Sequence, residues 1–151
     1  MNANATARTF SRRFSEPRIV RIEDLKGHEE TDPDRLNKLM KEIEADGILK
    51  KSIAVDENSN VILDGHHRLR ALKELGYTKI PVKFVDYNLP DIIVHAWKEG
   101  GEVSKEMVVS TAIEGKKFPS RTTKHMVKIN GKLEHISVIE KEVNIPLKKL
   151  I

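Results

Sequence analysis

The segment Val61–Leu72 constrains the fold more than any other part of the chain, and it reads Val-Ile-Leu-Asp-Gly-His-His-Arg-Leu-Arg-Ala-Leu. Its first three residues predict a buried strand, Gly65 permits the backbone of a tight turn, and Leu69 and Leu72 predict the buried face of a helix. The free N–H groups and positive dipole end of that helix would lie beside Arg68 and form an anion site. The pattern is typical of chemistry on phosphate, although a charged, solvated helix start would also fit it.

Hydrophobic periodicity and turn residues divide the remaining chain into short strands and helices. We predict strands at Arg18–Ile22, Ser52–Asp56, Val61–Leu63, Ile80–Asp86, Ile92–Trp97 and His135–Ile139. We predict helices from Pro33, capped by Asp32, to Gly47, from the Asp-Gly turn to Gly76, and from the cap Ser104 to near Gly115. The strand Ile92–Trp97 is expected to be buried, and Phe118–His125 is expected to be a basic loop. The irregular alternation predicts an α/β (α+β) fold, in which helices pack on a small mixed β-sheet.

The length of 151 residues suits one domain. We place that domain at residues 18–151 and predict a flexible basic arm at residues 1–17, which are polar and lack periodicity. The chain has no cysteine, which excludes disulfides, thiolate nucleophiles and Cys-ligated zinc and fits a cytoplasmic location. No apolar run approaches the ~20 residues that a membrane helix needs. The Lys- and Glu-rich composition leans towards a thermophile.

The net charge of +4 leaves the type of binding partner open. Basic residues crowd the N-terminal region, at Arg8, Arg12, Arg13, Arg18 and Arg21. Such a region could contact nucleic acid, but aromatic residues make up only 5% of the chain, too few to assemble a base-stacking platform easily. Attraction to small anions explains the charge equally well.

Two further clusters carry residues suited to chemistry. The first is His28-Glu29-Glu30, in which a carboxylate could act as a general base towards a hydroxyl. A solvated acidic stretch before a helix would look the same, because the helix dipole favours negative charge there. The second is Arg121-Thr122-Thr123-Lys124-His125, whose hydroxyls and cations could bind phosphate or carboxylate, or could form a simple exposed basic loop.

The six histidines raise the question of a metal site, which the sequence leaves unknown. His66 and His67 are adjacent, so on a helix they diverge by about 100° and do not easily chelate one ion together. A zinc site would need His28, Glu29 or His125 to converge on them through the tertiary fold. The chain has no Walker A pattern, no Rossmann glycine fingerprint and no protein-kinase motif, which makes the ordinary nucleotide folds unlikely.

Taken together, these motifs resemble the ParB/sulfiredoxin-like superfamily, from about Val20 to the C-terminus. The resemblance rests on His28-Glu29, Ile62–Arg68, Trp97 and Phe118–His125. The Gly-His-His-Arg core is similar to the Gly-Cys-His-Arg phosphate loop of sulfiredoxin and to the Gly-Glu-Arg-Arg box of ParB. The His-His doublet and the Thr-Thr-Lys-His segment resemble the free serine kinase branch, whose archaeal members use ADP.

The resemblance implies a cytoplasmic, nucleotide-binding kinase that phosphorylates free L-serine to O-phosphoserine, with ADP or ATP as donor and Mg²⁺ as cofactor. It implies that Glu29 is the general base and that Asp64 lies beside the reacting hydroxyl or its metal ion. The residues expected to hold the donor phosphates are Gly65, His66, His67 and Arg68. The residues expected to line the serine side are Trp97, Thr122, Thr123 and His125.

The alternative is a ParB-like, nucleotide-dependent DNA-binding or regulatory module without kinase activity. The basic N-terminal region and the shared fold favour it, whereas no helix-turn-helix pattern follows the Gly-His-His-Arg region. A sulfiredoxin-like reductase would need a cysteine. The family's kinases carry additional sequence between the tryptophan strand and the Thr-Thr segment, where this chain has Lys98–Lys117. The oligomeric state and the choice between ADP and ATP stay open.

Overall fold

A mixed sheet with helices on its faces forms the body of the protein, in a computed structural model that describes residues 10–151. Within those residues the helices are α1 (Pro33–Asp46), α2 (His66–Glu74) and α3 (Lys105–Ile113). The strands are β1 (Arg18–Arg21), β2 (Ile48–Lys51), β3 (Ile53–Asp56), β4 (Ile62–Asp64), β5 (Lys79–Val85), β6 (Ile92–Ala96), β7 (Thr123–Ile129), β8 (Lys132–His135) and β9 (Glu142–Pro146). Short 3-10 turns occur at Ile22–Asp24, Ile136–Ile139 and Leu147–Leu150. The predicted α/β fold class is confirmed.

The central sheet has four strands in the order β1-β5-β3-β4. Strands β3 and β5 are parallel, with Ile53 opposite Val82, whereas β1 pairs with β5 and β4 pairs with β3 in antiparallel fashion. Ala54 of β3 lies opposite Asp64, the last residue of β4. The Asp-Gly turn therefore lies at the end of the sheet at which β3 begins.

Alternating side chains of the central sheet contribute to two apolar cores, as expected from the period of two in a strand. Ile53 and Ile62 belong to a core that also contains Ile43 of α1 and Leu72 of α2. Ala54, Val61 and Leu63 belong to a second core, which includes Val108 of α3 and Val127 of β7. Helices α1 and α2 thus cover one face of the sheet, and α3 with the later strands covers the other.

Two smaller antiparallel sheets complete the fold, with strand orders β6-β7-β8 and β2-β9. The prediction of a loop at Phe118–His125 is wrong for its last three residues, because Thr123 begins β7 and pairs with Ala96. The strand Ile92–Trp97 is present as β6 but is not buried as expected. It lies at the edge of its sheet, and only Ile92 is fully buried.

The predicted final strand at His135–Ile139 is also wrong. Ile136–Ile139 forms a 3-10 turn, and the His135 side chain accepts a hydrogen bond from the Ser137 backbone N–H at its start. Ile136 and Ile139 are both buried and lie three positions apart, the spacing of one 3-10 turn. Along the sequence, apolar and polar residues also alternate at the start of this segment, and that alternation is typical of a strand. The last strand is β9, which pairs with β2.

Residues 10–17 lie against the domain, which differs from the flexible arm that we predicted for residues 1–17. Phe10 is 2% exposed, and the Phe14 ring lies 5.0 Å from the ring of Phe84. The backbone N–H of Arg12 donates to Glu57 Oε1 at 3.0 Å. The rest of the predicted arm, including Arg8, lies outside the described residues. Among the helices of residues 10–151, none has the length and apolar character needed to cross a membrane.

Candidate active site

The Asp-Gly turn has a backbone that only glycine accommodates well. Gly65 has φ of 109°, in the left-handed region that L side chains rarely adopt. A Cβ atom at this position would overlap Ile53 Cγ2 and would lie 2.6 Å from Ile53 Cβ. Glycine therefore lets β4 turn tightly over β3, and α2 begins at His66 immediately afterwards.

The two histidines at the start of α2 hold in place the loop that precedes α1. His66 Nε2 accepts from the His28 backbone N–H at 3.1 Å, and His67 Nε2 accepts from the Asp32 backbone N–H at 3.0 Å. Each ring therefore carries its proton on Nδ1. Burial lowers the pKa of both histidines, so both are neutral near pH 7. Asp32 precedes α1 as predicted, but its side chain makes no capping hydrogen bond.

Glu29 is oriented by the start of β7. Its Oε1 accepts from the Arg121 backbone N–H at 2.7 Å. Its Oε2 accepts from the backbone N–H and the hydroxyl of Thr123, at 3.1 and 2.7 Å. Three hydrogen bonds thus fix a carboxylate whose side chain is only 13% exposed. The neighbouring Glu30 is exposed.

The Thr123 hydroxyl also connects Glu29 to His28. It lies 2.9 Å from His28 Nε2. Because a carboxylate can only accept, the hydroxyl donates to Glu29 and must accept from the protonated Nε2 of His28. The His28 side chain is fully buried, and this desolvation lowers its pKa to about 4. Thr123, which we predicted to contact serine, is thus bonded to Glu29 and His28.

Arg68 lies at the turn as predicted, but other groups of the protein already occupy its guanidinium. Nη1 donates to the Ser52 carbonyl at 2.7 Å, and Nη2 donates to Asp64 Oδ2 at 3.2 Å and to Glu140 Oε1 at 2.8 Å. Sequence reasoning missed Glu140, because it lies 72 residues from Arg68 and belongs to no motif.

The remaining predicted residues differ in how they are placed. His125 is 2% exposed, its Nε2 lies 2.8 Å from the Tyr87 hydroxyl, and burial lowers its pKa to about 3. Trp97 is 48% exposed, and Lys124 Nζ lies 4.8 Å from its ring centroid. The Thr122 hydroxyl donates to the Pro119 carbonyl at 2.7 Å. Tyr87 was not predicted, and no motif in the sequence marks it.

Nine of the ten predicted site residues line one cleft of about 580 Å³, which we call the central cleft. These are Glu29, Asp64, Gly65, His66, His67, Arg68, Trp97, Thr123 and His125. Thr122 is not among its lining residues. Residues far apart in the sequence therefore meet around a single cavity, which brings carboxylates, a cation and the start of a helix together.

A second cleft, of about 1010 Å³, adjoins the first and shares Glu29 and His66 with it. We call it the outer cleft. Its apolar lining comes from Ile22, Leu25, Leu69 and Tyr77, and its basic lining from Arg21, Arg70, Lys73 and Lys117. It is large enough for an aromatic heterocycle with a charged tail, since ligand pockets of this kind commonly span ~300–1,000 Å³.

Within residues 10–151, no group of three or more His, Asp or Glu side chains is arranged to hold a metal ion. His28 does come near both His66 and His125, since its ring lies 4.6 Å from the His66 ring and 5.9 Å from the His125 ring. Their contacts are edge-on contacts between rings rather than shared ligation.

The mixed sheet and the strand–turn–helix junction at Gly65 define a class of small α/β domain. The ParB N-terminal domain family matches residues 11–100. The chain belongs to this family.

Several relatives of the chain carry kinase names. The chain is 36% identical over 86 residues to an ATP-dependent L-serine kinase of Staphylothermus marinus, a match that covers 54% of this chain and 34% of the relative. It is 28% identical over 83 residues to an ADP-dependent L-serine kinase of Thermococcus kodakarensis, covering 52% and 34%. A ParB-like protein of Sulfolobus acidocaldarius is 53% identical over 45 residues, covering 30% and 23%. The chain thus matches about a third of the length of these kinases.

Solved structures share the fold at low sequence identity. A free serine kinase in complex with AMP superposes with a TM-score of 0.73 at 15% identity, over 90% of this chain and 94% of the other. The C-terminally truncated SbnI of Staphylococcus aureus superposes with a TM-score of 0.65 at 16% identity, over 99% and 91%. The predicted ParB-like fold is confirmed.

Proposed function

We propose that the protein is a kinase that transfers a phosphoryl group from ATP or ADP to the hydroxyl of free L-serine. The observation that carries the proposal is the meeting of Glu29 and Asp64 with the Gly-His-His-Arg turn around the central cleft. Phosphoryl transfer needs an oriented hydroxyl, a group that takes its proton, and positive charge around the moving phosphate. The names of the relatives support the same activity.

In the proposed reaction, Glu29 is the general base. The serine hydroxyl oxygen forms a bond to the terminal phosphorus of the donor, the bond from that phosphorus to the bridging oxygen breaks, and ADP or AMP leaves. Glu29 takes the hydroxyl proton, and its oxygens have room to do so, because Oε1 accepts only one protein hydrogen bond. Asp64, on the same cleft, would orient the hydroxyl.

The donor would bind with its phosphates at the start of α2 and its nucleoside in the outer cleft. The backbone N–H groups at His66 and His67 lie at the positive end of the helix dipole, which favours phosphate. The apolar lining of the outer cleft suits a purine base. Glu29 and His66 line both clefts, so a donor lying across them would present its terminal phosphate beside the base.

Serine would occupy the part of the central cleft near Trp97 and His125. Its carboxylate would find positive charge at Lys124, which lies against the Trp97 ring. Thr122 and Thr123 belong to the same segment. We propose that Thr123 acts on serine through Glu29, because its hydroxyl is already bonded to that carboxylate.

The described residues offer no cluster of three acidic or histidine ligands. We therefore propose that Mg²⁺ accompanies the phosphates of the donor, since Mg²⁺ commonly keeps several waters and binds through substrate phosphates. Bound there, it would neutralise phosphate charge. We also propose that residues 18–151 act as one catalytic domain. We further propose that the protein works in the cytoplasm of a thermophilic archaeon, because its kinase relatives come from Staphylothermus marinus and Thermococcus kodakarensis.

The test is incubation of the protein with L-serine, MgCl₂ and either ATP or ADP, with detection of O-phosphoserine by mass spectrometry. The expected result is O-phosphoserine formed in equal amount to ADP from ATP, or to AMP from ADP. The Glu29→Gln protein is the matched control. Tight nucleotide binding without O-phosphoserine from either donor would overturn the proposal and favour the ParB-like regulatory module.

A further inference from the structure

Glu140 is a buried acid in the C-terminal part of the chain that contacts the active-site turn. It lies between the 3-10 turn Ile136–Ile139 and β9. Its side chain is 1% exposed, and its Oε1 accepts from Arg68 Nη2 at 2.8 Å. Its Oε2 is buried and has no hydrogen-bond partner. A carboxyl group in this position needs an explanation, because a buried charge with an unpaired oxygen is costly.

Arg68 joins Glu140 to Asp64. One nitrogen, Nη2, donates to both carboxyl groups, at 2.8 Å to Glu140 and 3.2 Å to Asp64 Oδ2. The other nitrogen, Nη1, is fixed by the Ser52 carbonyl, so the guanidinium has little freedom to turn. The position of Asp64 in the central cleft is thereby linked to a residue 76 positions later in the chain.

One positive charge faces two acids here, so one of the acids is best left neutral. The Asp64 side chain is 26% exposed and the Glu140 side chain 1%, and the ionised form is less costly at the more exposed site. Arg68 and Asp64 are the charged groups that face Glu140. Desolvation raises the pKa of Glu140 to about 9, although Arg68 opposes the shift. Protonation of Glu140 removes the charge from its buried, unpaired Oε2.

We propose that Glu140 is a neutral positioning residue, which holds Arg68 and Asp64 in place at the edge of the central cleft. A neutral acid can accept from Arg68 without cancelling its charge. Arg68 therefore stays positive towards the cleft, and Asp64 keeps the negative charge. The part of this inference that concerns catalysis rests on the proposed kinase function.

The charge state is tested without any assay of activity, by chemical unfolding of the wild type and Glu140→Gln between pH 5 and 9. A folded state that keeps a proton on Glu140, while the unfolded state loses it near pH 4.5, grows less stable as pH rises. The glutamine of the variant cannot titrate. The unfolding equilibrium constant of the wild type relative to the variant should rise about tenfold per pH unit.

Glu142→Gln is the control, because it removes a carboxylate from an exposed position two residues away that makes no contact with Arg68 in the described structure. The unfolding equilibrium constant of the wild type relative to Glu142→Gln should not change with pH. A flat ratio for Glu140→Gln as well would mean that Glu140 is ionised in the folded protein, and the proposal would be wrong.

The positioning role is tested by comparing Glu140→Gln with Glu140→Leu in the serine kinase assay. Glutamine keeps an acceptor for Arg68, so kcat should stay within about threefold of the wild type. Leucine keeps the volume but leaves Arg68 Nη2 without that acceptor, so kcat should fall tenfold or more with the KM for nucleotide little changed. Equal kcat in both variants would refute positioning. If the wild type itself makes no O-phosphoserine, the proposed function fails while the unfolding test of Glu140 still stands.

Discussion

Glu29 receives its orientation from a segment more than 90 residues away. Its own loop supplies the backbone, but the donors to its carboxylate are Arg121 and Thr123, at the start of β7. Glu30 shares the charge of Glu29 but is exposed. The difference between these two neighbours lies in tertiary contacts, and it makes a direct comparison possible.

We expect Glu29→Gln to lower kcat for serine phosphorylation by roughly 10²–10⁴-fold, since a positioned base contributes about that much to the rate. Glutamine keeps the size of the side chain but cannot take the hydroxyl proton. Nucleotide affinity, measured by calorimetry, should be retained. Glu30→Gln is the control and should keep most of the activity. If Glu30→Gln is the inactive variant, the base has been assigned to the wrong neighbour.

Thr123 provides a second comparison. Thr123→Val removes the hydroxyl that donates to Glu29 and accepts from His28, so we expect kcat to fall by roughly tenfold, the effect of losing one hydrogen bond to a charged group. Thr123→Ser keeps the hydroxyl and should restore kcat. Thr122→Val should have little effect. A rise in the KM for serine with unchanged kcat would instead mean that Thr123 contacts the substrate directly, as the sequence predicted.

Residues of the site differed in how far the sequence could reveal them. Asp64 and Arg68 were predictable, because the strand, the glycine turn and the helix lie next to each other along the chain. Glu140 and Tyr87 were not, because they reach the site only through long-range folding. The hydrogen bonds between Thr123 and Glu29 were not predicted, because the segment of Thr123 was predicted as a loop. The alternation of side chains along β7 directs Thr123 to Glu29.

At the scale of elements, the junction of β4 and α2 depends on the contact between Gly65 and Ile53. Two separate features disfavour a side chain at Gly65, namely the positive φ and the overlap with Ile53. Gly47, at the end of α1, has φ of 69°, and a Cβ atom added there would meet no other atom within 4 Å. A comparison of substitutions at these two glycines therefore distinguishes the cost of the positive φ from the cost of steric overlap.

We expect Gly47→Ala to lower the free energy of unfolding by roughly 1–2 kcal/mol, the cost of a left-handed residue. Gly65→Ala should cost a further 1–3 kcal/mol or so, because it also overpacks the core. The measurement is urea unfolding of both variants at one pH. Equal losses would show that β3 moves aside freely and that the turn does not depend on this contact.

The elements that the sequence predicted well are those whose signals are local. Helix α1 has a proline at its first position and a glycine after its last turn, and α3 has a serine cap that accepts from the Met107 backbone N–H. Strand β2 was missed. It is four residues long and pairs with β9, more than 90 residues later, so neither strand has a partner near it in the sequence.

At the scale of the whole molecule, three neutral histidines connect the parts of the fold. His28 comes from the loop before α1, His66 from α2 and His125 from β7, and the ring of His28 contacts the other two. Burial is the main cause that lowers the pKa of each. Protonation of any one ring would place a charge in the core beside the other two, so acid should loosen the contact between the central sheet and the strands that carry Thr123.

The sign of this pH dependence follows from proton binding. The unfolded chain binds protons on these histidines near pH 6.5, whereas folded His28 and His125 bind them only near pH 4 and 3. The stability that they contribute is therefore complete above pH 6.5 and is lost as pH falls towards the folded values. Glu140 contributes a slope of the opposite sign, because its pKa is raised. A comparison of variants isolates the histidines from that opposing effect.

We expect the loss of unfolding free energy between pH 7 and pH 5 to be smaller in His28→Asn than in the wild type, by about 2 kcal/mol. Asparagine cannot take up the proton that the unfolded wild type binds at this position, so it removes one proton from the difference between the two states. The readout is the change in stability with pH, because the variant also loses contacts at every pH. His95→Asn, at an exposed position of β6, is the control and should keep the wild-type slope. A wild-type slope in His28→Asn would mean that folded His28 takes up its proton over the same pH range as the unfolded chain, so that burial does not lower its pKa.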